Sequence, residues 1–390
     1  MIELKEAIGI LLNASGIKGY ERVPIDESLH RVLASDVISD TDMPAFTKSA
    51  MDGYACRTQD IHLPLSLIET IPAGIVPEKT VVKGTCAKIM TGAILPEGAD
   101  CVIKVEDTAV ENGKIKFTGN LKSNNIRLKG EEAKKGTLLL KSGTIIKPQH
   151  IPVLASVGDI NPLVYMQPEV AVISNGSELV EPGDIPAGAQ IRNTNALQTL
   201  NQLKYIGLTG KYLGIIRDNE EEMISAIIKA KSAFDVILIT GGVSMGDFDY
   251  VPDAIRQAGF EILFHKINVK PGKPLLFAAD GKSFCIGIPG NPVSSFVQFE
   301  LLIKPFLLSM QGNTYVPRIS GNIFGVNHKF QILQQPQFIP VKINSDNTAE
   351  PLPYKGSAHI ASISQADGLI EIPAGTGEIL KGENIHVRLF

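Results

Sequence analysis

Between Asp235 and Tyr250 the chain reads Asp-Val-Ile-Leu-Ile-Thr-Gly-Gly-Val-Ser-Met-Gly-Asp-Phe-Asp-Tyr, and few folds accept such a run. Val236 to Ile239 is apolar and largely β-branched with no polar alternation, the pattern of a strand covered on both faces of a parallel sheet. Gly241, Gly242 and Gly246 follow; without a Cβ, they let the backbone turn sharply and bring N–H groups against an anion. Pro252 suits the first turn of a helix starting near Val251. Strand, glycine turn and helix make the unit of an open α/β sheet, whose ligands bind beyond the carboxyl ends of the strands. A tight βα turn with no ligand would use the same glycines. Gly242-Val-Ser-Met-Gly246 also spells the G-x-S-x-G nucleophile elbow of serine hydrolases, with Ser244 as nucleophile. That alternative needs an acid, then a downstream histidine, and an oxyanion loop; His265 follows too closely and no His-Gly-Gly run occurs.

At 390 residues the chain exceeds one ordinary core and predicts about two to four domains. A composition of 44% hydrophobic and 20% charged residues is that of a globular protein, and a net charge of −4 gives no electrostatic footprint for nucleic acid. Cys56, Cys86, Cys101 and Cys285 show neither a C-x-x-C pair nor zinc spacing, and their apolar neighbours predict reduced, buried thiols, which suits the cytoplasm. The N-terminus begins an amphipathic helix rather than a signal, and no apolar run approaches the roughly 20 residues needed to span a bilayer. The histidines lack paired ligand spacing, so a histidine zinc site is not expected.

Leu4, Ile8, Leu11 and Leu12 form a helical stripe over residues 3 to 14. Asp26 is placed to cap a second helix running through Leu29, Val32 and Leu33. From Pro44 to about Lys129 short β runs alternate with turns: Thr80 to Val82, Cys101 to Val105, and the hairpin dipeptide Asn112-Gly113. Gln149 to Val157 predicts a helix ending at a linker near Asn161-Pro162. Strand and helix then alternate from Glu169: strands at Val170 to Ile173 and Tyr212 to Ile215, and helices at Thr194 to Tyr205 and Asn219 to Ala230. A long apolar helix, Pro292 to Met310, follows Pro289-Gly-Asn-Pro292. The expectation is a doubly wound α/β domain, an early inserted β domain, and a small β barrel beyond Pro317.

Several polar stretches sit at predicted strand ends. Ser174-Asn-Gly-Ser-Glu178 offers Glu178 as a hydrogen-bond acceptor or cation ligand, or else is a plain solvated loop. Asp218 follows a strand as Asp249 does, so the two could share a crevice and hold Mg²⁺, which takes one or two carboxylates and completes its shell with water and phosphate. Lys266 and Lys270 alternate with Ile267 and Val269 along a predicted extended segment, and Pro271 and Pro274 stiffen the loop that carries Lys273. Ordering a lysine costs up to about 2 kcal/mol, so three of them on a stiff segment suggest an oxyanion target, against the alternative of a solvated basic edge strand.

Together the segments Pro44-Ala-Phe-Thr-Lys-Ser-Ala-Met-Asp-Gly-Tyr-Ala55, Lys88-Ile-Met-Thr-Gly-Ala93, Gly241 to Asp249, Lys270-Pro-Gly-Lys-Pro274 and Ile288-Pro-Gly-Asn-Pro-Val-Ser294 resemble, in order, the molybdopterin molybdenumtransferase family, related to the gephyrin E domain. The resemblance implies a discontinuous N-terminal helical and linker domain (1–43 and 133–168), an inserted β domain (44–132), an α/β molybdopterin-binding domain (169–315) and a C-terminal β barrel (316–390). It implies a homodimer with its active site between subunits, and molybdopterin adenylyltransferase as upstream partner. The implied reaction takes adenylylated molybdopterin and molybdate, cleaves the pyrophosphate link with Mg²⁺ or a similar cation, releases AMP and leaves molybdenum on the dithiolene.

By that resemblance the glycine loop with Ser244 holds phosphate, Asp218 and Asp249 engage the cation or nucleotide, and the three lysines hold molybdate and developing phosphate charge. Asp52 and Thr91 close the crevice from the partner subunit; Glu178, Pro289, Pro292 and Ser294 match further motif positions. The chain departs from the family pattern at Ser177 and Glu132, where aspartates are common, and at His359, where an apolar residue is usual. Two other readings remain: a gephyrin-like scaffold, whose receptor-binding role is expected to need an added linker or fused domain, and the serine hydrolase.

Overall fold

In a computed structural model, described over residues 1–244, 250–313, 316–354 and 356–390, the run Val236–Thr240 is a strand with all five residues buried. It lies third in a six-stranded sheet ordered Gly210–Ile216, Val170–Asn175, Val236–Thr240, Phe284–Ile288, Leu276–Ala279, Glu261–His265. The first three pairings are parallel and the last two antiparallel. These strands read as unbroken apolar runs because both faces are covered. Val172, Leu238 and Ile286 pack with Leu203, Val293 and Val297 on one face. Ala171, Ile173, Ile237 and Ile239 pack with Met223, Ile227 and Ile255 on the other. The domain is doubly wound, as expected.

Strand Val170–Asn175 has its successor in sequence, Gly210–Ile216, on one side and Val236–Thr240 on the other. The connection from its carboxyl end runs to one side of the sheet and that from the carboxyl end of Val236–Thr240 to the other, the switch point at which an open α/β sheet leaves a crevice. Helix Glu220–Lys231 is entered through Asn219, whose side chain accepts from the Glu222 N–H at 3.1 Å. Glutamates fill its first turn and Lys229 and Lys231 its last, matching the helix dipole.

The long apolar helix is continuous but not uniform. Pro292–Gln298 is α-helical, Phe299–Ile303 is wound as a π-helix, and Lys304–Ser309 returns to α. Pro305 brings no N–H for the Leu301 carbonyl, and in the turn before it the Lys304 N–H reaches back five residues to the Phe299 carbonyl. The wider turn also carries a buried ion pair, Lys304 Nζ to Glu300 Oε2 at 2.8 Å, and Gln202 donates to the other glutamate oxygen at 3.0 Å.

Two local expectations fail. No helix follows Asp26; the chain makes one 3₁₀ turn, Ile25–Glu27, and His30 then enters the left-handed region. Val32 and Leu33 are buried, but they bridge across to Ile145 and Val164, so long-range pairing overrides the local helical spacing. Thr80 to Val82 is not a strand: Val81 donates to the Glu97 carbonyl and Val82 to the Thr85 hydroxyl, a turn closed by a neighbouring side chain.

The chain separates into two compact units. One comprises Met1–Ala34, Gly143–Pro148 and Asn161–Phe390; the other comprises Ser35–Ser142 and Gln149–Ile160. The second holds a four-stranded sheet ordered Ser66–Ile71, Thr85–Ile89, Gly53–Cys56, Cys101–Lys104, and the hairpin Thr108–Glu111/Lys114–Phe117 turning at Asn112-Gly113. In the first unit a closed barrel of Ile319–Phe324, Thr348–Pro351, Gln337–Ile343, Gly368–Ile372 and Asn384–Leu389 surrounds Phe324, Val341, Ile370 and Val387. All four cysteines are free and buried, and no helix among the described residues is long and apolar enough to cross a membrane.

Removing one member of a buried pair strands the other charge. Lys304→Met is therefore expected to lower the stability of the α/β domain by about 3 kcal/mol, read as a shift of the urea midpoint of the transition that reports this domain.

Candidate active site

At the switch point one residue touches all three strand ends. The buried Asn175 closes its strand, and its Nδ2 donates to Asp218 Oδ1 at 3.1 Å, beyond the end of the neighbouring strand. The Ser177 N–H donates to Asp218 Oδ2 at 2.9 Å, and the Asp218 N–H returns a bond to the Ser177 hydroxyl at 3.0 Å. Both carboxylate oxygens are thus aimed although Asp218 is exposed. On the other side Gly241 and Gly242 have φ of 92° and 67°. A Cβ on Gly241 would lie 2.4 Å from the Asn175 carbonyl oxygen, and one on Gly242 2.4 Å from Asn175 Nδ2. Here the glycines are required twice, by conformation and by space.

Around these residues opens a cleft of about 720 Å³ lined by Glu178, Asp218, Gly241, Gly242, Ser244, Pro289 and Pro292 among others, within the size range of small-molecule sites. The Gly241 N–H is not available to an anion, because it donates to the Ile288 carbonyl at 2.9 Å. The N–H groups of Gly242, Val243 and Ser244 have no acceptor among the described residues, so the amides open to a ligand begin one residue later than the glycine pattern suggests. Gly246 and Asp249 lie outside the described residues.

Sequence reasoning missed the opposite wall. Asn193 and Asn195, both buried, face the cleft at the start of helix Asn195–Tyr205. Asn195 donates to the Gly290 carbonyl at 2.7 Å and so fixes the Pro289-Gly-Asn-Pro292 loop. Asn193 donates to the Ser174 and Tyr212 hydroxyls. Burial, and then the bond to Glu181, push the Tyr212 phenol up to about 12, so it remains a donor. The signal was the run Asn193-Thr-Asn195 just ahead of an apolar-periodic segment.

A second cleft of about 380 Å³ holds Lys270, Lys273 and Ser294, and no carboxylate among the described residues lines it. It shares Pro274, Pro289 and Asn291 with the first. Its loop is braced from below by the buried Gln298, which donates to the Pro271 carbonyl at 3.1 Å. Lys266 lines neither cleft. It has φ of 85°, and its N–H donates to the Leu275 carbonyl. The expected straight extended run from Lys266 to Lys270 is therefore bent at its first residue, and the lysines are not one array.

In the other unit the Thr91 N–H and hydroxyl donate to Asp52 Oδ1 at 2.6 and 2.8 Å. The Thr91 N–H first and its hydroxyl second hold the Asp52 carboxyl below its ordinary value. Glu132 is exposed, and its N–H bonds the Met43 carbonyl; no hydrogen bond joins it to Asp52 or Thr91 among the described residues. In the first unit His265 Nε2 lies 2.8 Å from the Val243 carbonyl, so that ring faces backbone, and no hydrogen bond joins it to the Ser244 hydroxyl among the described residues. No group of three or more His, Cys, Asp or Glu forms a metal cage among the described residues. Glu178 and Asp218 on one cleft fit a cation that needs few protein ligands.

Asp52 keeps its charge to lower pH than an ordinary aspartate, so its contribution is present above the usual carboxylate range and lost as pH falls through the lowered value. Thr91→Val removes the hydroxyl bond and keeps the N–H. It is expected to raise the Asp52 pKa part of the way back, as read by a carboxyl NMR titration. Gly242→Ala is expected to displace Asn175, loosen Asp218 and weaken anion binding in the first cleft while the circular dichroism spectrum is unchanged.

Residues 2–158 match the MoeA N-terminal region (domain I and II), 171–309 a probable molybdopterin binding domain, and 333–390 the MoeA C-terminal region (domain IV). The molybdopterin molybdenumtransferase of Staphylococcus aureus is 33% identical over 410 aligned positions, covering all of this chain and 95% of that protein. That of Staphylococcus epidermidis is 34% identical over 402, with the same coverage. Among solved structures, a molybdopterin biosynthesis MoeA protein from Pyrococcus horikoshii OT3 superposes with a TM-score of 0.85 at 30% identity, over all of both chains. With the fold, the clefts and the full-length identity in agreement, the chain belongs to the molybdopterin molybdenumtransferase (MoeA) family.

Proposed function

We propose that the protein is a molybdenum insertase of cofactor biosynthesis, which joins molybdate to adenylylated molybdopterin and releases AMP. The observation that carries this reading is the pair of adjoining clefts of different chemistry, one with the fixed Asp218, Glu178 and Arg192 beside the Gly242 to Ser244 amides, the other with Lys270 and Lys273 and, among the described residues, no carboxylate. The Gly242 to Ser244 amides bind the phosphate of the adenylylated substrate, and Asn193 and Asn195 fix the facing wall. Lys270 and Lys273 attract the molybdate dianion, with the Ser294 hydroxyl beside them. Because the clefts share Pro274, Pro289 and Asn291, the two substrates meet across one rigid wall, and this proximity lowers the entropic part of the barrier.

Asp218, oriented by Asn175 and Ser177, and Glu178 hold Mg²⁺ in this reading, with Asp249 as a further ligand. When held there, such a cation would supply neutralisation of the phosphate charge at the pyrophosphate link. The reading extends to a homodimer in which Asp52 and Thr91 of a second copy serve the cleft, with Glu132 on the same unit. It extends also to receipt of substrate from molybdopterin adenylyltransferase in a reducing cytoplasm.

The test mixes protein, adenylylated molybdopterin, molybdate and Mg²⁺. AMP release that requires molybdate is expected, and Asp218→Asn should slow it by on the order of 100-fold. Release that is independent of molybdate, or none from folded protein, overturns the insertase reading and leaves the scaffold. Mixing the impaired Asp52→Ala and Asp218→Asn chains should restore about a quarter of the activity by random subunit exchange; no recovery overturns the shared site.

A further inference from the structure

The loop that carries Lys270 and Lys273 is held at three points. At its start the Lys270 N–H donates to the Pro336 carbonyl, and the Lys270 carbonyl accepts from the Phe338 N–H. At its end the Lys273 carbonyl accepts from the Ile267 and Leu275 N–H groups. Between them lies the Pro271–Gly272 peptide, whose carbonyl has one partner among the described residues: the Gln298 side chain, with Nε2 at 3.1 Å. Gln298 is 0% exposed and ends helix Pro292–Gln298. Its Oε1 is buried with no hydrogen-bond partner among the described residues. An amide in such a place costs free energy that an apolar side chain would not, and the bond it does make goes to this loop.

Holding the carbonyl also sets the other end of the peptide. The Pro271–Gly272 bond is trans, so its C=O and N–H point in opposite directions. Pinning the Pro271 oxygen onto Gln298 therefore turns the Gly272 N–H away from Gln298. Gly272 lines the lysine cleft and Gln298 does not, and the Gly272 N–H has no acceptor among the described residues. Gly272 has φ of 98°, and a Cβ there would run into the Gln298 amide. Only glycine meets both demands, but glycine alone would let the peptide plane rotate. Gln298 removes that freedom before a ligand arrives, which is what makes a backbone donor effective.

We propose that Gln298 is a positioning residue of the lysine cleft: through the Pro271 carbonyl it presents the Gly272 N–H as a fixed donor to an oxyanion held by Lys270 and Lys273. The inference rests on the reading above only in taking molybdate as that oxyanion. Each lysine brings a point charge on a flexible stem, whereas the fixed N–H adds direction.

The test measures molybdate binding to the full chain by equilibrium dialysis, without the pterin substrate, so that the result does not depend on turnover. Gln298→Met keeps the length of the side chain and removes its donor; it is expected to weaken molybdate binding about 10-fold, the loss of one hydrogen bond to an anion. In the AMP-release assay the same variant should raise the molybdate KM by a similar factor, leaving kcat and the KM for adenylylated molybdopterin within about twofold of the unsubstituted chain. Gln298→Asn, which keeps the amide but falls short of the Pro271 carbonyl, should move in the same direction. Ser295→Ala, on the same helix and likewise buried, should change neither measurement. Equal molybdate affinity in Gln298→Met and the unsubstituted chain overturns the proposal, as does an equal loss in Ser295→Ala, which marks a general disturbance of the helix. No molybdate binding by the unsubstituted chain overturns the oxyanion site itself. Binding that falls in Gln298→Met while AMP release needs no molybdate upholds the positioning role and overturns the insertase reading alone.

Discussion

The site hangs on Asn175. Its amide aims Asp218, and its carbonyl and amide leave room on the other side only for glycine at 241 and 242. A strand-end residue that is 7% exposed can do this because the sheet is parallel at this point and its connections diverge. The three loops then emerge from one edge with their backbones a few ångströms apart. A buried amide has two donors and an acceptor to satisfy, and its bond to Asp218 together with its close approach to Gly241 and Gly242 holds the site in one geometry.

From that anchor the chemistry separates by cleft. Asp218, Glu178 and the Gly242 to Ser244 amides gather at the switch point, while Lys270 and Lys273 sit on a loop braced by Gln298. Prolines form the shared boundary, and their fixed φ keeps it from yielding. Lys270 and Lys273 lie in the second cleft, whereas Asp218 and Glu178 line the first together with Arg192. In the proposed reaction the two anionic reactants would meet across this boundary.

The strands Val170–Asn175 and Val236–Thr240, the helix capped by Asn219 and the Asn112-Gly113 hairpin were legible in sequence, because each is specified by local pattern. The failures share a cause. Val32 and Leu33 had helical spacing but are buried by bridges to residues far along the chain, Ile145 and Val164. Lys266 had strand alternation, yet the bond of its N–H to Leu275 bends the backbone away.

The sequence by itself determined the doubly wound domain, the barrel, the glycine positions and the family, since these rest on period, turn chemistry and ordered motifs. Tertiary structure alone decided that Asn175, Asn193 and Asn195 frame the cleft, that Gly241 spends its N–H on Ile288, and that Lys266 stands apart from Lys270 and Lys273. The physical reason is that hydrogen-bond partners are allotted in three dimensions. A side chain's type says what bonds it can make; only the packed chain says which are already made.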